Sequence, residues 1–339
     1  MMILWLAGLA VLILYRTRIV AFNDAFLDKS TADPIKGIFI FIVLLSHMRD
    51  YISPGGSVFD SLYAAFFPMI GQLMVAMFLF YSGYGCYESF QHKENYLKGF
   101  LKKRVLKTLV NFAAALLLYV LVNLLFRFHY SAKEYLLCWI GWESIGNSNW
   151  YIFTILALYC MTWLGFAVER KTAARLSVPI VSLLCVAYIY FMHAAGKESW
   201  WYDTSLCYPF GMMASACKEK FSRQLRSTAK WLGWLAAALS AFLVSYKIGG
   251  LFFFFSACFF CLVVVVITAR LKIGNRPLSW MGKHLFEIYI LQRLPMILLS
   301  RFPVRDPMLF SSLAICATML LAGMFQRFLI KLDAKLFSR

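Results

Sequence analysis

Apolar residues in this chain fall in long blocks at roughly 2–15, 35–48, 62–82, 108–126, 150–168, 177–194, 204–216, 231–246, 250–268, 281–299 and 308–326, separated by short polar connections. Crossing the ~30 Å hydrocarbon core of a bilayer takes roughly 20 apolar residues in a helix. The pattern therefore predicts an all-α fold, a polytopic transmembrane helix bundle of about 10–11 spans. The first and seventh blocks are the shortest. The opening block has no basic leader and no small-residue cleavage site, and Arg16 and Arg18 follow it. It reads as an uncleaved anchor rather than a signal peptide.

Of 339 residues, 62% are hydrophobic and 15% charged, and the mean hydropathy is +0.70. These values exclude a soluble globular chain and leave no room for a sizeable second domain. The nine cysteines stand singly in apolar blocks apart from Cys258 and Cys261, which have no polar neighbour. They read as packing thiols, and no metal site is expected. A net charge of +18 would suggest a nucleic-acid partner in a soluble protein, but here it resolves into topology. Alternate connections, from Arg16, Arg18, Lys29 and Lys36 to Arg327, Lys331, Lys335 and Arg339, hold 26 of the 34 basic residues; the opposite set, Arg305 among them, accounts for the other eight when Arg293, inside a block, is counted with it. The positive-inside rule makes the richer set cytoplasmic. That predicts an external N-terminus, a cytoplasmic C-terminus and no nucleic-acid partner.

Ionisable residues inside apolar blocks are costly and mark candidate sites. Lys36 opens the second block and His47 lies near its other end. Eleven helical positions return to within about 20° of the starting face and rise ~16 Å, so the two share one stripe. A neutral imidazole can take a proton from a hydroxyl, and Asp50, three residues on, could hold the ring in one tautomer. The alternative is an interfacial histidine, with Asp50 paired to Arg49 or capping the turn. Arg104, Lys107 and Asn111 share a helical face at the start of the fourth block. Like charges at this spacing repel and suit either a phosphate held between them or anionic lipid headgroups. Arg293, in the tenth block, either polarises a carbonyl or clamps an anion, or snorkels outward. Trp150 is a candidate for stacking on a sugar ring, or a member of an interfacial aromatic belt. His284 and Glu287 read as a structural hydrogen-bonded pair. No Gly-x-Ser-x-Gly elbow, Walker loop, His-Glu-x-x-His or dinucleotide fingerprint occurs, so motifs give hydrolase and ATPase readings no help.

Five segments, in order, make the chain similar to the acyltransferase 3 family of polytopic membrane acyltransferases. Lys36 and His47 resemble the family's Arg/Lys-x10-His signature. Phe78-Leu79-Phe80-Tyr81-Ser82-Gly83-Tyr84 resembles its Phe-Phe-x-x-Ser-Gly-Tyr segment, Arg104 and Lys107 its Arg-x-x-Arg pair, and Asn149-Trp150-Tyr151-Ile152 its Trp-Phe-Leu segment. Gly282 through Leu291 resembles its late Gly-x-x-Ser-x-x-Ile-Tyr-Leu-Leu-His segment, with Gln292 where the final histidine is usual. The resemblance implies a family domain over residues 31–339, preceded at 1–30 by an additional N-terminal transmembrane helix and cytoplasmic linker. It implies transfer of an acyl group, often acetyl, from acyl-CoA to a hydroxyl of a cell-envelope glycan or lipid-linked sugar at a bacterial plasma membrane. Acetyl-CoA is then a co-substrate, with no bound cofactor, and membrane lipids surround the bundle. In this scheme His47 and Lys36 are catalytic, Arg104 and Lys107 bind the donor phosphates, and Asp50, Trp150 and Arg293 lie toward the acceptor. The alternative function is a non-catalytic transporter or flippase of a lipid-linked glycan.

Overall fold

In hydrocarbon the backbone has no polar partner but itself, which leaves the helix as the structure open to blocks of this composition. The computed structural model describes residues 2–52, 58–172, 175–304 and 306–337; Arg305 and Arg339, which enter the charge pattern, lie outside them. From the N-terminus, α1 (Met2–Leu14) and strand β1 (Thr17–Ile19) precede α2 (Lys29–Met48), α3 (Val58–His92) and α4 (Lys107–Leu125). The short α5 (Ala132–Leu137) leads to α6 (Trp150–Thr172), α7 (Ser177–Ala194), α8 (Cys207–Ala216), α9 (Lys218–Arg226), α10 (Thr228–Ile248) and α11 (Phe253–Thr268). Strand β2 (Leu271–Ile273) is followed by α12 (Arg276–Lys283), α13 (Leu285–Leu291), α14 (Arg293–Leu299) and α15 (Pro307–Phe337).

Among the described residues, seven helical runs are long and apolar enough to cross a membrane: Lys29–Met48, Lys102–Leu125, Trp150–Thr172, Ser177–Ala194, Thr228–Ile248, Gly250–Thr268 and Pro307–Phe337. The other expected blocks are built differently. The α1 helix has 13 residues, α8 has 10, α3 runs for 35, and the tenth block is broken into α12, α13 and α14. Pro295 has no N–H to offer the carbonyl of Leu291, which accounts for the second break, at Gln292. At the first break, His284 Nδ1 donates to the Trp280 carbonyl at 2.8 Å and its ring stacks on Trp280. That histidine is therefore structural through Trp280 rather than through Glu287. The sulfurs of Cys207 and Cys258 lie 3.9 Å apart as free thiols between packed helices.

Two helix pairs approach more closely than side chains allow. A Cβ on Gly37 of α2 would overlap the Leu278 carbonyl of α12, and one on Gly282 would overlap the Asp33 carbonyl of α2. Gly83 of α3 and Gly211 of α8 face the carbonyls of Tyr208 and Phe80 in the same reciprocal way. Small residues of this kind let backbones meet where lipid provides no hydrophobic drive for association. Gly37→Val should therefore push α2 off α12 and displace the adjacent Lys36, with a stability loss at the upper end of the ~1–3 kcal/mol usual for overpacking. Thermal unfolding in detergent measures it, and an unshifted transition would refute the close contact. The α1 helix is tied to the C-terminal half of the bundle: Trp5 Nε1 donates to Ser311 Oγ at 2.9 Å, Asn275 Nδ2 donates to the Leu12 carbonyl at 2.8 Å, and β1 pairs antiparallel with β2.

Candidate active site

The site is carried by helices that run through two stacked levels. On α2, Lys36 stands at one level and Val43, Ser46 and His47 at the other. The α3 helix places Phe78, Tyr81 and Ser82 with Lys36, and Gly71, Gln72 and Val75 with His47; Tyr159 and Trp150 on α6 divide in the same way, as do Glu287 of α13 and Arg293 of α14. The result is two cavities, of about 520 Å³ and about 410 Å³, one beyond the other along the bundle. Eleven residues of α2 set the levels of Lys36 and His47 ~16 Å apart.

The first cavity is basic. A single π turn, Lys102–Leu106, leads into α4; such turns shift side chains out of α-helical register and often mark functional sites. Lys103, Arg104, Lys107 and Asn111 reach the cavity wall here, together with Lys36. Arg104 donates from Nε and Nη2 to Tyr96 Oη at 3.3 and 3.2 Å, and its guanidinium lies over the Tyr159 ring. Among the described residues no carboxylate pairs with it. Lys107, by contrast, is ion-paired with Asp333 of α15 at 2.8 Å. Lys36 is 3.8 Å from Asp33 and 5.5 Å from the centre of the Tyr81 ring. Lys103, Arg104 and Lys107 also wall a further space of about 570 Å³ with Lys93, Tyr96 and Phe337, so the three cations stand between two volumes that a phosphorylated ligand could fill.

The second cavity holds the candidate proton-transfer groups. Arg293 donates from Nη2 to His47 Nδ1 at 3.1 Å and to Asp50 Oδ2 at 2.5 Å. His47 Nδ1 and Asp50 Oδ2 are 3.9 Å apart. A neutral imidazole that accepts at Nδ1 carries its proton on Nε2; for Nε2 to work as a base, that proton must sit on Nδ1 instead, facing Asp50. The His47 imidazole and the Arg293 guanidinium hold the Asp50 carboxyl below its usual range. The stability this group contributes is therefore complete above its unfolded pKa of ~3.9 and is lost as pH falls through the lower folded value.

The sequence brought His47 forward with Asp50, and Arg293 and Trp150 each on its own; the fold puts all four on one cavity. Asp50 meets Arg293 rather than Arg49. Several further groups had been given no role from the sequence. Asn147, Ser148 and Asn149 line the same cavity just before α6, and the Ser148 hydroxyl is buried without a hydrogen-bond partner. Gln72 Nε2 donates to Asp203 Oδ1 at 2.7 Å, and burial pushes the Asp203 carboxyl up to about 7. Asp333 was legible only as an isolated acid in a basic C-terminal stretch. Tyr289 is, of the described residues, the one that lines both cavities, with its ring 5.3 Å from that of Tyr151. Among the described residues, no three His, Cys, Asp or Glu side chains stand where they could share a metal ion. The arrangement is a cation-lined cavity stacked on one that holds an imidazole, a carboxylate and a guanidinium.

A family model described as an acyltransferase domain matches residues 32–327. No curated protein and no solved structure matches the chain.

Proposed function

Since the chain belongs to the acyltransferase domain family, we propose that this multi-pass membrane acyltransferase moves an acyl group, acetyl in the simplest case, from acyl-CoA to a hydroxyl of a cell-envelope glycan or lipid-linked sugar. The observation that carries the reading is the stacking of a cationic cavity and a histidine-bearing cavity along α2. The charge alternation of the connections supports a cytoplasmic position for the basic cavity in a bacterial plasma membrane, with the N-terminus outside. Acyl-CoA then enters from the side where it is made.

In this scheme Arg104 and Lys103 hold the nucleotide phosphates by charge-assisted hydrogen bonds. Lys107 adds less, because Asp333 already offsets its charge. The long thiol arm of the donor runs past Lys36 toward the second cavity. There His47, in the tautomer with Nδ1–H turned to Asp50, takes the proton of the acceptor hydroxyl at Nε2; Asp50 supports the imidazolium, and Arg293 keeps the carboxylate beside the ring. Asn147, Ser148, Asn149 and Trp150 supply the hydrogen-bonding groups and the aromatic face that a polyol requires.

The test is purified full-length protein with radiolabelled acetyl-CoA and a crude envelope glycan extract. Arg104→Ala should weaken acetyl-CoA binding by roughly tenfold or more, the equivalent of ~1.5–3 kcal/mol for a hydrogen bond to a charged group, and Lys107→Ala should weaken it less. Unchanged donor affinity in Arg104→Ala would remove that residue from the donor site. A protein that only moved a lipid-linked glycan would show neither donor binding nor label transfer.

A further inference from the structure

Resting on the acyl-CoA reading above, we infer that Tyr289 is a catalytic residue, its hydroxyl donating a hydrogen bond to the thioester carbonyl as the acyl group comes within reach of His47. Of the described residues Tyr289 alone lines both cavities, so an acyl carbon travelling from the level of Lys36 to that of His47 passes this ring. Tyr289 is 2% exposed, and its buried hydroxyl has no protein acceptor for its proton. Buried polar groups are nearly always paired, and an orphan calls for an explanation. Two neighbouring donors do find acceptors: Tyr119 Oη donates to the Ile290 carbonyl at 2.7 Å, and Gln292 Nε2 donates to the Tyr289 carbonyl at 3.1 Å. Arg293, one turn on, is already committed through Nη2 to His47 and Asp50. Arg293 Nε and the Ser148 hydroxyl are unpaired as well, but both residues line the second cavity alone, so the unpaired donor on a residue shared by the two cavities is the Tyr289 hydroxyl.

Its partner arrives with the substrate. The acceptor hydroxyl oxygen attacks the thioester carbonyl carbon, forming a C–O bond, while His47 takes the hydroxyl proton. The carbonyl π pair moves onto oxygen, and the resulting oxyanion accepts the hydrogen bond from Tyr289. Collapse restores the C=O bond and breaks the C–S bond, and the departing thiolate takes the proton from His47. The products are an ester and free coenzyme A thiol, with every proton accounted for. The hydrogen bond unmade in the empty site is made as charge develops, which is the condition for raising kcat rather than affinity.

Tyr289→Phe separates this role from packing, because it keeps the ring and removes only the hydroxyl. Measured on the full chain in detergent, the variant should melt at or above the wild-type temperature, since an unpaired buried group is gone. It should bind acetyl-CoA within about twofold of wild type and transfer label to the envelope extract with kcat lowered by ~10²-fold or more. A kcat close to that of wild type would overturn the role of Tyr289 and leave the acyltransferase reading standing. A folded wild type that neither binds acetyl-CoA nor transfers label would overturn that reading, and the role of Tyr289 with it.

Discussion

Replacing His47 by alanine should lower acyl transfer by ~10²–10⁴-fold, the range that a positioned acid–base group supplies, and leave acetyl-CoA affinity unchanged. The split follows from geometry. His47 lines the second cavity, whereas the cations Lys36, Lys103, Arg104 and Lys107 line the first. The sharper variant is His47→Gln, whose side-chain oxygen can still accept from Arg293 but cannot take up a proton. Label transfer from radiolabelled acetyl-CoA, measured beside donor binding on the same preparation, reads both effects. Full activity in His47→Gln would show that the ring is a hydrogen-bonded structural group, the reading that local sequence left open.

The second large effect is expected at Arg293. One nitrogen of this side chain bridges His47 and Asp50, so Arg293→Met releases both at once. Small errors in the placement of a catalytic group cost ~10²-fold, and a loss of that order in kcat is expected. The cost in stability should be small, about 1 kcal/mol or less, because Asp50 is 48% exposed and water screens the pair. The variant also has a signed pH signature. Arg293 is one of the groups that lower the Asp50 pKa, so its removal lets that pKa rise, and the acid limb of the rate profile should move to higher pH. Arg293→Lys keeps the charge but not the planar fork, and its rate should fall between those of Met and wild type. A pH profile that does not move in Arg293→Met would dissociate Asp50 from the chemistry.

Some of this site was legible residue by residue. The stripe from Lys36 to His47 depends only on helical periodicity, and both residues do line cavities, though different ones. Arg104 and Lys107 were legible as a pair on one face; that Asp333 already holds Lys107 was not, because a single acid far along the chain carries no local mark. The junction residue Tyr289 lies in a segment recognised for its resemblance, yet nothing in a run of apolar residues says which ring will stand between two cavities. The glycine contacts were equally hidden. Gly37 and Gly282 read as ordinary small residues until α2 and α12 are seen to touch through them.

Read alone, the chain determines a helical membrane bundle, a strong charge asymmetry among its connections, and a short set of residues too polar for their blocks. Those properties are local: block length against bilayer thickness, charge per connection, and the cost of burying one ionisable group. Tertiary structure alone decides that His47 and Arg293, 246 residues apart, share a hydrogen bond. It also decides that Lys107 is already neutralised, and that one unpaired tyrosine hydroxyl sits where the two cavities meet. Such outcomes depend on which helices pack together and at what height, a choice made by glycine contacts and breaks in helices that periodicity along one helix does not encode.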